Sequence, residues 1–375
     1  MTPHVAVVGA GAFGGWTALH LRRAGARVTL LDAWGAGNSR ASSGGETRVI
    51  RGIYGGERRY VELTLRSLAL WREAERRWGR RLYRCTGAVW MFHGDDAYAR
   101  TTLPLLRAAG LPAVELTVAE AASRYPQIDF SGVRSVFVEA EAGYLLARQA
   151  CEAVREALVA EGGEYRTAAA EPARPAKGGL GSLRLADGSA LHADRFVFAC
   201  GPWLGAILPD VVGERVRATR QEVFFFGLPR GDTRYDEGTM PVWVDHGARF
   251  MYGIPGNERR GFKVADDTRG PVIDPTTEER LPTADALARA RALLRTRFPG
   301  LADAPLVEAR VCQYEQTPDG HPILDRHPDA DNVWIAGGGS GHGFKMGPAV
   351  GEQVARLVLG DGAPDPFFSL GRFGQ

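Results

Sequence analysis

Three glycines near the start of the chain have the spacing of a nucleotide-binding turn. Gly9, Gly11 and Gly14 form the pattern GxGxxG between a β-branched run at residues 5–8 and a helix-forming segment at residues 16–23. The first glycine permits a tight turn, the second lets the backbone approach a pyrophosphate, and the third lets the helix pack closely on the strand. Amides at the start of that helix hold phosphate charge. These residues therefore predict a strand, a turn and a helix that bind a dinucleotide.

A carboxylate follows the glycines at the place where such a fold binds ribose. Asp32 ends a second buried-strand pattern, residues 26–32, about twenty residues past the glycines, where an acidic residue accepts a ribose hydroxyl. This position favours adenosine without a 2′-phosphate. The glycines alone also fit an ordinary strand, turn and helix, but the carboxylate in register favours the nucleotide.

A second glycine-rich segment lies near the end of the chain. Residues 332–345 contain a strand pattern followed by glycines, and Cys312 lies 33 positions before Lys345. A free cysteine is commonly a small buried apolar residue, so Cys312 alone indicates no chemistry. A strand pattern at residues 193–200 also ends on a glycine, Gly201, where a sheet edge can meet a dinucleotide. We therefore expect both ends of the chain to build the nucleotide fold.

Five ordered motifs resemble one family. They are GAGAFGG at residues 9–15, GETRVIR at residues 45–51, GFKV at residues 261–264, Cys312-x-Tyr314, and SGHGFK at residues 340–345. With motifs that span essentially the whole chain, the sequence resembles the flavin-dependent amine and amino-acid oxidases of the monomeric sarcosine oxidase and N-methyltryptophan oxidase group. The resemblance implies an α/β (mixed α+β) fold, in which a Rossmann-like FAD-binding domain carries an inserted antiparallel-sheet substrate domain. It also implies extended FAD, joined by a thioether from Cys312 to the 8α carbon of the isoalloxazine.

The resemblance assigns roles to charged residues that are otherwise ordinary surface groups. Lys263 is implied to lie near flavin N5 and to promote reoxidation by oxygen through water, since a fixed cation stabilises superoxide-like charge. Arg48 is implied to lie by the flavin ring and to stabilise anionic reduced flavin. Arg51 and Lys345 are implied to hold a substrate carboxylate, which suits the planar guanidinium fork. Tyr252 matches an aromatic active-site position, although a core tyrosine would look the same.

The implied cofactor contacts concentrate in the two glycine-rich segments. His342 stands in the closing glycine loop, whose amides are expected to face the flavin pyrimidine oxygens, and we do not expect it to act as a base. The cofactor-binding residues implied by the resemblance are Gly9, Gly11, Phe13, Gly14, Asp32, Ser43, Thr47, Arg48, Cys200, Gly201, Trp203, Cys312, Gly338, Gly339, Gly341, His342, Gly343, Phe344 and Lys345. No metal is expected, because the 8 histidines and 4 cysteines form no metal-ligand spacing.

Two departures from the family pattern change the substrate cavity. Asp267 stands where the sarcosine oxidases carry a histidine, four positions after the lysine matching Lys263, and Gly44 replaces another histidine. Both replacements alter the volume and charge of the cavity. Asp267 can accept a cationic group of the substrate, so larger or basic amines, including sugar-amine adducts, compete with sarcosine as candidates.

The predicted reaction is FAD-dependent oxidation of a secondary amine or an N-substituted amino acid. Hydride passes from the carbon next to nitrogen to flavin N5, the imine hydrolyses, and oxygen is reduced to hydrogen peroxide. A dehydrogenase of amino or imino acids that uses another acceptor, and a sugar-amine oxidase, are the alternatives. A nicotinamide-dependent enzyme would leave Cys312 and the second glycine loop unexplained, and a non-enzymatic flavin-binding protein would leave Arg48, Lys263 and Lys345 unexplained.

The elements that must position these residues follow a discontinuous pattern. We predict FAD-binding segments at residues 1–82, 143–215 and 311–375, and substrate-domain segments at residues 83–142 and 216–310. Residues 36–56 are polar and predict a loop, residues 58–80 and 143–161 predict helices, and Thr117 ahead of Glu120 predicts a helix start. The remaining predicted elements are strands at 193–200, 222–227, 241–244 and 248–254, and helices at 283–297 and 349–359.

Composition narrows the class of protein. At 375 residues the chain is long enough for two domains, and a net charge of +2 from 46 basic and 44 acidic residues gives no sign of a nucleic-acid partner. Its hydrophobic content is 45%, and no apolar run approaches the roughly 18 residues of a membrane span. The glycine turn begins within ten residues of Met1 without a preceding signal-peptide pattern. We expect a cytoplasmic monomer whose partners are a small amine or amino acid and oxygen.

Overall fold

The computed structural model describes residues 2–374, which form a mixed α/β fold and confirm the predicted fold class. The α-helices are α1 (Ala12–Arg23), α2 (Arg58–Trp78), α3 (Ala97–Arg100), α4 (Leu103–Ala108), α5 (Val118–Arg124), α6 (Ala147–Ala160), α7 (Leu204–Ile207), α8 (Ala284–Arg297) and α9 (Gly347–Leu359). The strands are β1 (His4–Val8), β2 (Arg27–Asp32), β3 (Thr47–Ile50), β4 (Tyr83–Arg84), β5 (Ala88–Phe92), β6 (Ala113–Leu116), β7 (Ser135–Glu139), β8 (Gly143–Leu146), β9 (Glu164–Thr167), β10 (Ser182–Arg184), β11 (Ala190–His192), β12 (Arg195–Phe198), β13 (Arg217–Phe226), β14 (Val242–His246), β15 (Phe250–Ile254), β16 (Phe262–Asp266), β17 (Leu306–Gln316), β18 (Ile323–Arg326) and β19 (Val333–Gly337).

A parallel sheet forms around the first glycine turn. Its strand order is β18-β19-β12-β1-β2-β9, with only β18 antiparallel to its neighbour in the described chain. β1 is buried on both faces, which its run of Val and Ala residues predicts for a central parallel strand. α9 packs tightly on α1, because a side-chain carbon at Gly351 would lie 2.6 Å from the backbone of Trp16. The first and last segments of the chain thus share this unit.

A larger, mostly antiparallel sheet stands beside the first. Its strand order is β17-β13-β16-β15-β14-β5-β7-β6, and the pair β14 and β5 is parallel. α8 begins after Thr283, whose hydroxyl accepts a hydrogen bond from the Ala286 amide at 3.3 Å. The helix start predicted at Thr117 is confirmed, since Thr117 and Glu120 form a capping box at the start of α5. The strand patterns predicted between residues 222 and 254 correspond to β13, β14 and β15.

Two local predictions are wrong where a small third sheet forms. Residues 36–56 contain β3, and residues 143–146 form β8 before α6 begins at Ala147. β8 lies between β3 and β4 in this sheet, and its residues are all buried. Pairing with strands distant in sequence overrides both the polar composition of the first segment and the helical pattern of the second.

β17 connects the two large units of the molecule. It runs from Leu306 to Gln316, so the predicted boundary between residues 310 and 311 falls inside it. It pairs along its whole length with β13 in the large sheet, with Gln221 opposite Cys312 and Thr219 opposite Tyr314. Because side chains alternate along a strand, Cys312 and Tyr314 share one face. This strand therefore brings residues of the large sheet to the edge of the nucleotide unit.

Candidate cofactor and substrate site

A long cleft opens at the carboxyl ends of β1, β2 and β12. It encloses about 1190 Å³, counting the part open to solvent. Gly9 has φ +106°, and a side-chain carbon there would lie 2.2 Å from the Ala199 carbonyl oxygen. A side-chain carbon at Gly14 would lie 1.9 Å from the Gly9 carbonyl oxygen. These two glycines are therefore required by backbone packing, as the GxGxxG pattern predicts.

Asp32 lines the cleft beside the glycine turn. Its carboxylate accepts hydrogen bonds from the Ala10 amide at 2.8 Å and from the Trp34 and Gly35 amides at 3.0 Å. Burial raises the pKa of Asp32, while these amides favour the charged form. The amides hold the carboxylate at the tip of β2, in the place expected for a ribose-binding acid.

The predicted cofactor residues divide into those that line the cleft and those that do not. Lining it are Gly9, Gly11, Phe13, Asp32, Ser43, Arg48, Cys200, Gly201, Trp203, Gly339, Gly341, Gly343 and Phe344. Gly14, Thr47, Cys312, Gly338, His342 and Lys345 lie outside that lining. Gly14 lets α1 pack closely on the turn at Gly9. Gly338 packs against Thr317, because a side-chain carbon at position 338 would lie 2.4 Å from the Thr317 side chain.

The mouth of the cleft is held by contacts between distant loops. The Ser43 hydroxyl accepts a hydrogen bond from the Ala12 amide at 3.1 Å, at the start of α1. Trp203 packs on Trp34 with ring centroids 4.7 Å apart, and its indole N–H donates to the Thr276 hydroxyl at 2.8 Å. The first contact joins the loop before β3 to the start of α1, and the other two join the segment after β12 to the end of β2 and to Thr276.

The cleft fits an extended dinucleotide such as FAD. Glycines line both ends, which leaves backbone amides open to phosphate and to ring oxygens. Among the described residues, the Ser42 hydroxyl and Glu315 Oε2 are buried at this cleft without a hydrogen-bond partner. Buried polar atoms are normally paired, so these two atoms indicate a missing polar ligand. Glu315 was not predicted from the sequence, and burial raises its pKa to about 7.

Arg48 lies where the cleft meets a second cavity. Its guanidinium donates to the Ser42 carbonyl at 2.6 Å and to Cys312 Sγ at 3.2 Å. Lys263 is buried beside it and donates to the Thr47 carbonyl at 3.1 Å. Burial, together with the positive charge of Arg48, lowers the pKa of Lys263 to about 7. The fold thus brings Arg48, Lys263 and Cys312 together from β3, β16 and β17.

The second cavity contains the predicted substrate residues. It encloses about 490 Å³, counting the part open to solvent, and shares Arg48, Tyr314, Gly341 and Phe344 with the cleft. The other residues that line it are Val49, Arg51, Val244, Phe250, Tyr252, Asp267, His342 and Lys345. All four predicted substrate residues, Arg51, Tyr252, Asp267 and Lys345, are therefore in one cavity next to the cleft.

Arg51 is held in this cavity by aromatic rings and a buried carboxylate. Its guanidinium carbon lies 4.4 Å from the Tyr54 ring centroid and 5.0 Å from that of Trp90. Glu139 is buried below the loop and accepts hydrogen bonds from the Gly52 amide at 2.6 Å and from the Trp90 indole at 2.7 Å. Glu139 contributes negative charge near Arg51 and was not predicted from the sequence.

Lys345 and His342 stand on the closing loop. Lys345 donates to the Tyr54 hydroxyl at 2.6 Å and to the His342 carbonyl at 3.0 Å. Burial, with the charge of Arg51, lowers the pKa of Lys345 well below its usual value. Burial and the nearby Lys345 lower the pKa of His342 to about 3, so its ring is neutral at physiological pH. A neutral ring with so low a pKa is a poor base at that pH.

Tyr314 is a polar residue of the cavity that sequence analysis did not assign to the site. Its hydroxyl donates to Asp267 Oδ1 at 2.6 Å. Burial, with the charge of Asp267, raises the pKa of Tyr314 well above its usual value, so the phenol keeps its proton. The Cys312-x-Tyr314 spacing was the available signal, because it places both residues on one face of β17.

Two features are absent from residues 2–374, a cluster of metal ligands and a helix that could cross a membrane. No group of three or more His, Cys, Asp or Glu side chains in this part of the chain is arranged to hold a metal ion. Within the same residues, every helix is too short or too polar to cross a membrane.

Comparison with known proteins gives consistent matches. A family model described as FAD dependent oxidoreductase matches residues 4–357. Monomeric sarcosine oxidase of Bacillus sp. (strain B-0618) is 31% identical over 361 residues, which are 95% of this chain and 92% of that protein. N-methyl-L-tryptophan oxidase of Salmonella dublin is 27% identical over 379 residues, covering 98% of each chain. The crystal structure of L-proline dehydrogenase from P. horikoshii superposes with a TM-score of 0.85, at 21% identity, over 99% of this chain and 98% of that one, which shows a common fold.

Proposed function

Because the chain belongs to the family of FAD-dependent oxidoreductases, we propose that it oxidises a secondary amine that bears a carboxylate, such as an N-substituted amino acid. The observation that carries this proposal is the common wall between the cleft and the small cavity. Arg48, Tyr314, Gly341 and Phe344 line both spaces. A small substrate in the cavity would therefore lie next to a flavin ring in the cleft.

The cleft residues are proposed to hold FAD from both ends. The turn at Gly9 and Gly11, with Asp32, suits the adenosine diphosphate half, and the loop at Gly339, Gly341 and Gly343 suits the flavin. When bound, FAD supplies the acceptor for the hydride from the carbon next to nitrogen, and its reduced form supplies two electrons that convert oxygen to hydrogen peroxide. The imine product hydrolyses in water after release.

The cavity residues are proposed to bind and orient the amine. Arg51 and Lys345 would pair with the substrate carboxylate, and the aromatic rings around Arg51 fix its direction. Tyr252 lines the same cavity as a wall beside the reacting carbon. Orientation of this kind lowers the entropy cost of hydride transfer. No acid or base is needed at the reacting carbon itself.

Lys263 supports an oxidase over a dehydrogenase. It is a buried cation beside Arg48, close to the wall that the two spaces share. A positive charge held there stabilises the negative charge that develops on oxygen as the first electron arrives. We propose that electrons leave to oxygen at Lys263, and that hydrogen peroxide is the product.

Cys312 is proposed as the covalent attachment point. Its thiol accepts a hydrogen bond from Arg48 at 3.2 Å, and its side chain shares the face of β17 with Tyr314, which lines the cleft. Replacing Cys312 by Ala should let acid denaturation release all flavin into the supernatant, whereas the wild-type pellet stays yellow. Cys151→Ala, at a buried cysteine of α6, is the matched control. Flavin that stays in the Cys312→Ala pellet would place the link elsewhere.

An anaerobic substrate screen tests the function. The holoenzyme is mixed with N-methyl amino acids, cyclic imino acids, D-amino acids and sugar-amine adducts, and loss of flavin absorbance at about 450 nm is followed. We expect bleaching with carboxylate-bearing secondary amines, and peroxide when air is admitted. Bleaching without peroxide would instead support a dehydrogenase, and bleaching by no amine would contradict the proposal.

Gel filtration with light scattering tests a further proposal, that the protein is a monomer, since a single chain forms both spaces.

A further inference from the structure

The charges in the small cavity are unequal in a way that the substrate carboxylate alone does not explain. Among the described residues that line it, Arg48, Arg51 and Lys345 are cationic and Asp267 carries the one carboxylate. A site that bound only the carboxylate of a substrate would gain nothing from the carboxylate of Asp267 beside it, since like charges repel. A carboxylate in such a cavity suits a ligand that also carries a positive charge.

Asp267 is held so that one oxygen remains free for a ligand. Its backbone amide donates to the Phe250 carbonyl at 2.8 Å, which fixes the residue at the end of β16. The Tyr314 hydroxyl donates to Oδ1 at 2.6 Å. This contact engages only Oδ1, and the half-buried Asp267 lines the cavity, where its carboxylate can accept a further donor from a ligand.

We infer that Asp267, positioned by Tyr314, binds the protonated nitrogen of the substrate, so that the enzyme takes up its amino acid as the zwitterion. Because this inference rests on the proposed function, the substrate carboxylate is on Arg51 and Lys345 while its ammonium group donates to Asp267. The ammonium passes one proton to Asp267 before hydride transfer, because the nitrogen lone pair must form the C=N bond of the imine. In a free α-amino acid both charged groups are attached to the same carbon, and the cavity that contains Asp267, Arg51 and Lys345 is small. The ligand class is thus a small zwitterionic secondary amine rather than a neutral amine or an anion.

Other titratable groups surround Asp267, and their titration contributes to the pH dependence of ligand binding. Those that influence it or are influenced by it are Tyr314 on β17, Tyr252 on β15, Lys263 and Asp266 on β16, Lys345 on the closing loop, and Arg51 and Tyr54 after β3. Burial raises the pKa of Asp267, while Tyr314, Arg51 and Lys345 act in the opposite direction. A second carboxylate next to it, Asp266, pairs outward with Arg249 at 2.7 Å.

A pair of unreactive ligands tests the inference by binding alone. Trimethylglycine carries a carboxylate and a permanent positive charge, and 3,3-dimethylbutyrate has the same shape and carboxylate without that charge. Binding to the holoenzyme is measured by the change in the flavin spectrum and by calorimetry. Trimethylglycine has no N–H donor, so its preference reports the attraction between its charge and Asp267. We expect the wild type to bind it at least about tenfold more tightly than 3,3-dimethylbutyrate. In Asp267→Asn, the dissociation constant of 3,3-dimethylbutyrate divided by that of trimethylglycine should fall to one or below.

Two variants keep this test specific. Asp266→Asn makes the same change at the neighbouring residue and should leave the ratio unchanged. Tyr314→Phe keeps the carboxylate but removes its donor, so it should reduce the ratio by a smaller factor. Equal binding of both ligands by the wild type, or an unchanged ratio in Asp267→Asn, would overturn the inference while the carboxylate site stands. Failure of both ligands to bind the wild type would overturn the proposed function itself.

The pH dependence of substrate binding gives a second readout. The dissociation constant of an N-methyl amino acid is obtained from the substrate concentration at which the anaerobic rate of flavin reduction saturates. The pH dependence of 3,3-dimethylbutyrate binding, measured in parallel, corrects for the titration of protein groups. In the wild type, binding should weaken as pH rises through the pKa of the substrate amine, because the ammonium is lost. In Asp267→Asn it should tighten over the same range, since Arg48 and Arg51 stay charged there and prefer the anionic form. If rising pH weakens binding in both proteins, or tightens it in both, Asp267 does not bind the substrate ammonium group.

Discussion

The proposed cofactor cleft and the proposed substrate cavity meet at one wall but are built in different ways. The cleft is made largely by backbone, and its glycines are needed because Gly9 and Gly14 leave no room for a side chain. The cavity is made by charged and aromatic side chains, such as Arg51, Asp267 and Lys345, which come from separate parts of the chain. Backbone recognition depends on local geometry, whereas recognition by side chains depends on which distant elements pack together.

This difference explains why the two regions should respond differently to mutation. A change in the backbone-built cleft disturbs the fold and the binding of any dinucleotide. A change in the cavity should leave FAD bound and alter a single step. Three substitutions can break or sharpen this contrast.

The largest effect is expected for Gly14→Val. A side-chain carbon at this position would lie 1.9 Å from the Gly9 carbonyl oxygen, so α1 cannot keep its place on β1. We expect loss of bound FAD and of most folded protein, measured by absorbance of the purified protein and by thermal unfolding. Gly94→Val is the matched control, because nothing lies within 4 Å of a side-chain carbon there. A yellow, stable Gly14→Val protein would show that close packing at the turn is dispensable.

The next effect is expected for Lys263→Met, on one half-reaction only. Loss of a fixed charge that stabilises a transition state costs on the order of 10²–10³ in rate. Anaerobic flavin reduction should stay near the wild-type rate, while stopped-flow reoxidation by oxygen slows by that factor. Lys177→Met, at an exposed lysine, should change neither. Wild-type reoxidation in the variant would remove Lys263 from the proposal.

The lowered pKa of Lys263 adds a pH signature to that experiment. A lysine is charged below its pKa, so the cation should be present below about pH 7 and lost above it. The wild-type reoxidation rate should therefore fall as pH rises through this value. The methionine variant should show no such fall, because it has no proton to lose.

A smaller effect is expected for Arg51→Gln. Removing a charged hydrogen bond to a carboxylate costs about 1.5–3 kcal/mol, or roughly 10- to 150-fold in kcat/KM. The loss should appear mainly in KM for the amino acid and should be much smaller for its methyl ester, with FAD still bound. Arg58→Gln, an exposed arginine of α2, serves as the control. Equal losses for acid and ester would show that Arg51 does not contact the carboxylate.

The parts of the fold that follow from local pattern were predictable. The first strand, turn and helix, the Thr117 capping box and the strands around residues 222–254 all depend on spacing within short segments, and these predictions agree with the structure. Residues 36–56 and 143–146 were not predictable in this way, because β3 and β8 form through pairing with strands that are distant in sequence. The positions of Glu139 and Glu315 were also hidden, since burial and contacts across long sequence distances create them, whereas the Cys312-x-Tyr314 spacing was a signal for Tyr314.

By itself the sequence determined a dinucleotide-binding turn, an acidic residue in register and a family resemblance that covers the whole chain. Those features depend on residue identity and spacing, which a linear chain carries in full. Only the tertiary structure placed Arg48 on Cys312, Lys263 on Thr47 and Tyr314 on Asp267. Each of these contacts joins residues more than 40 positions apart, so it exists only after β3, β16 and β17 have packed together. Charge balance in the substrate cavity is a consequence of that packing.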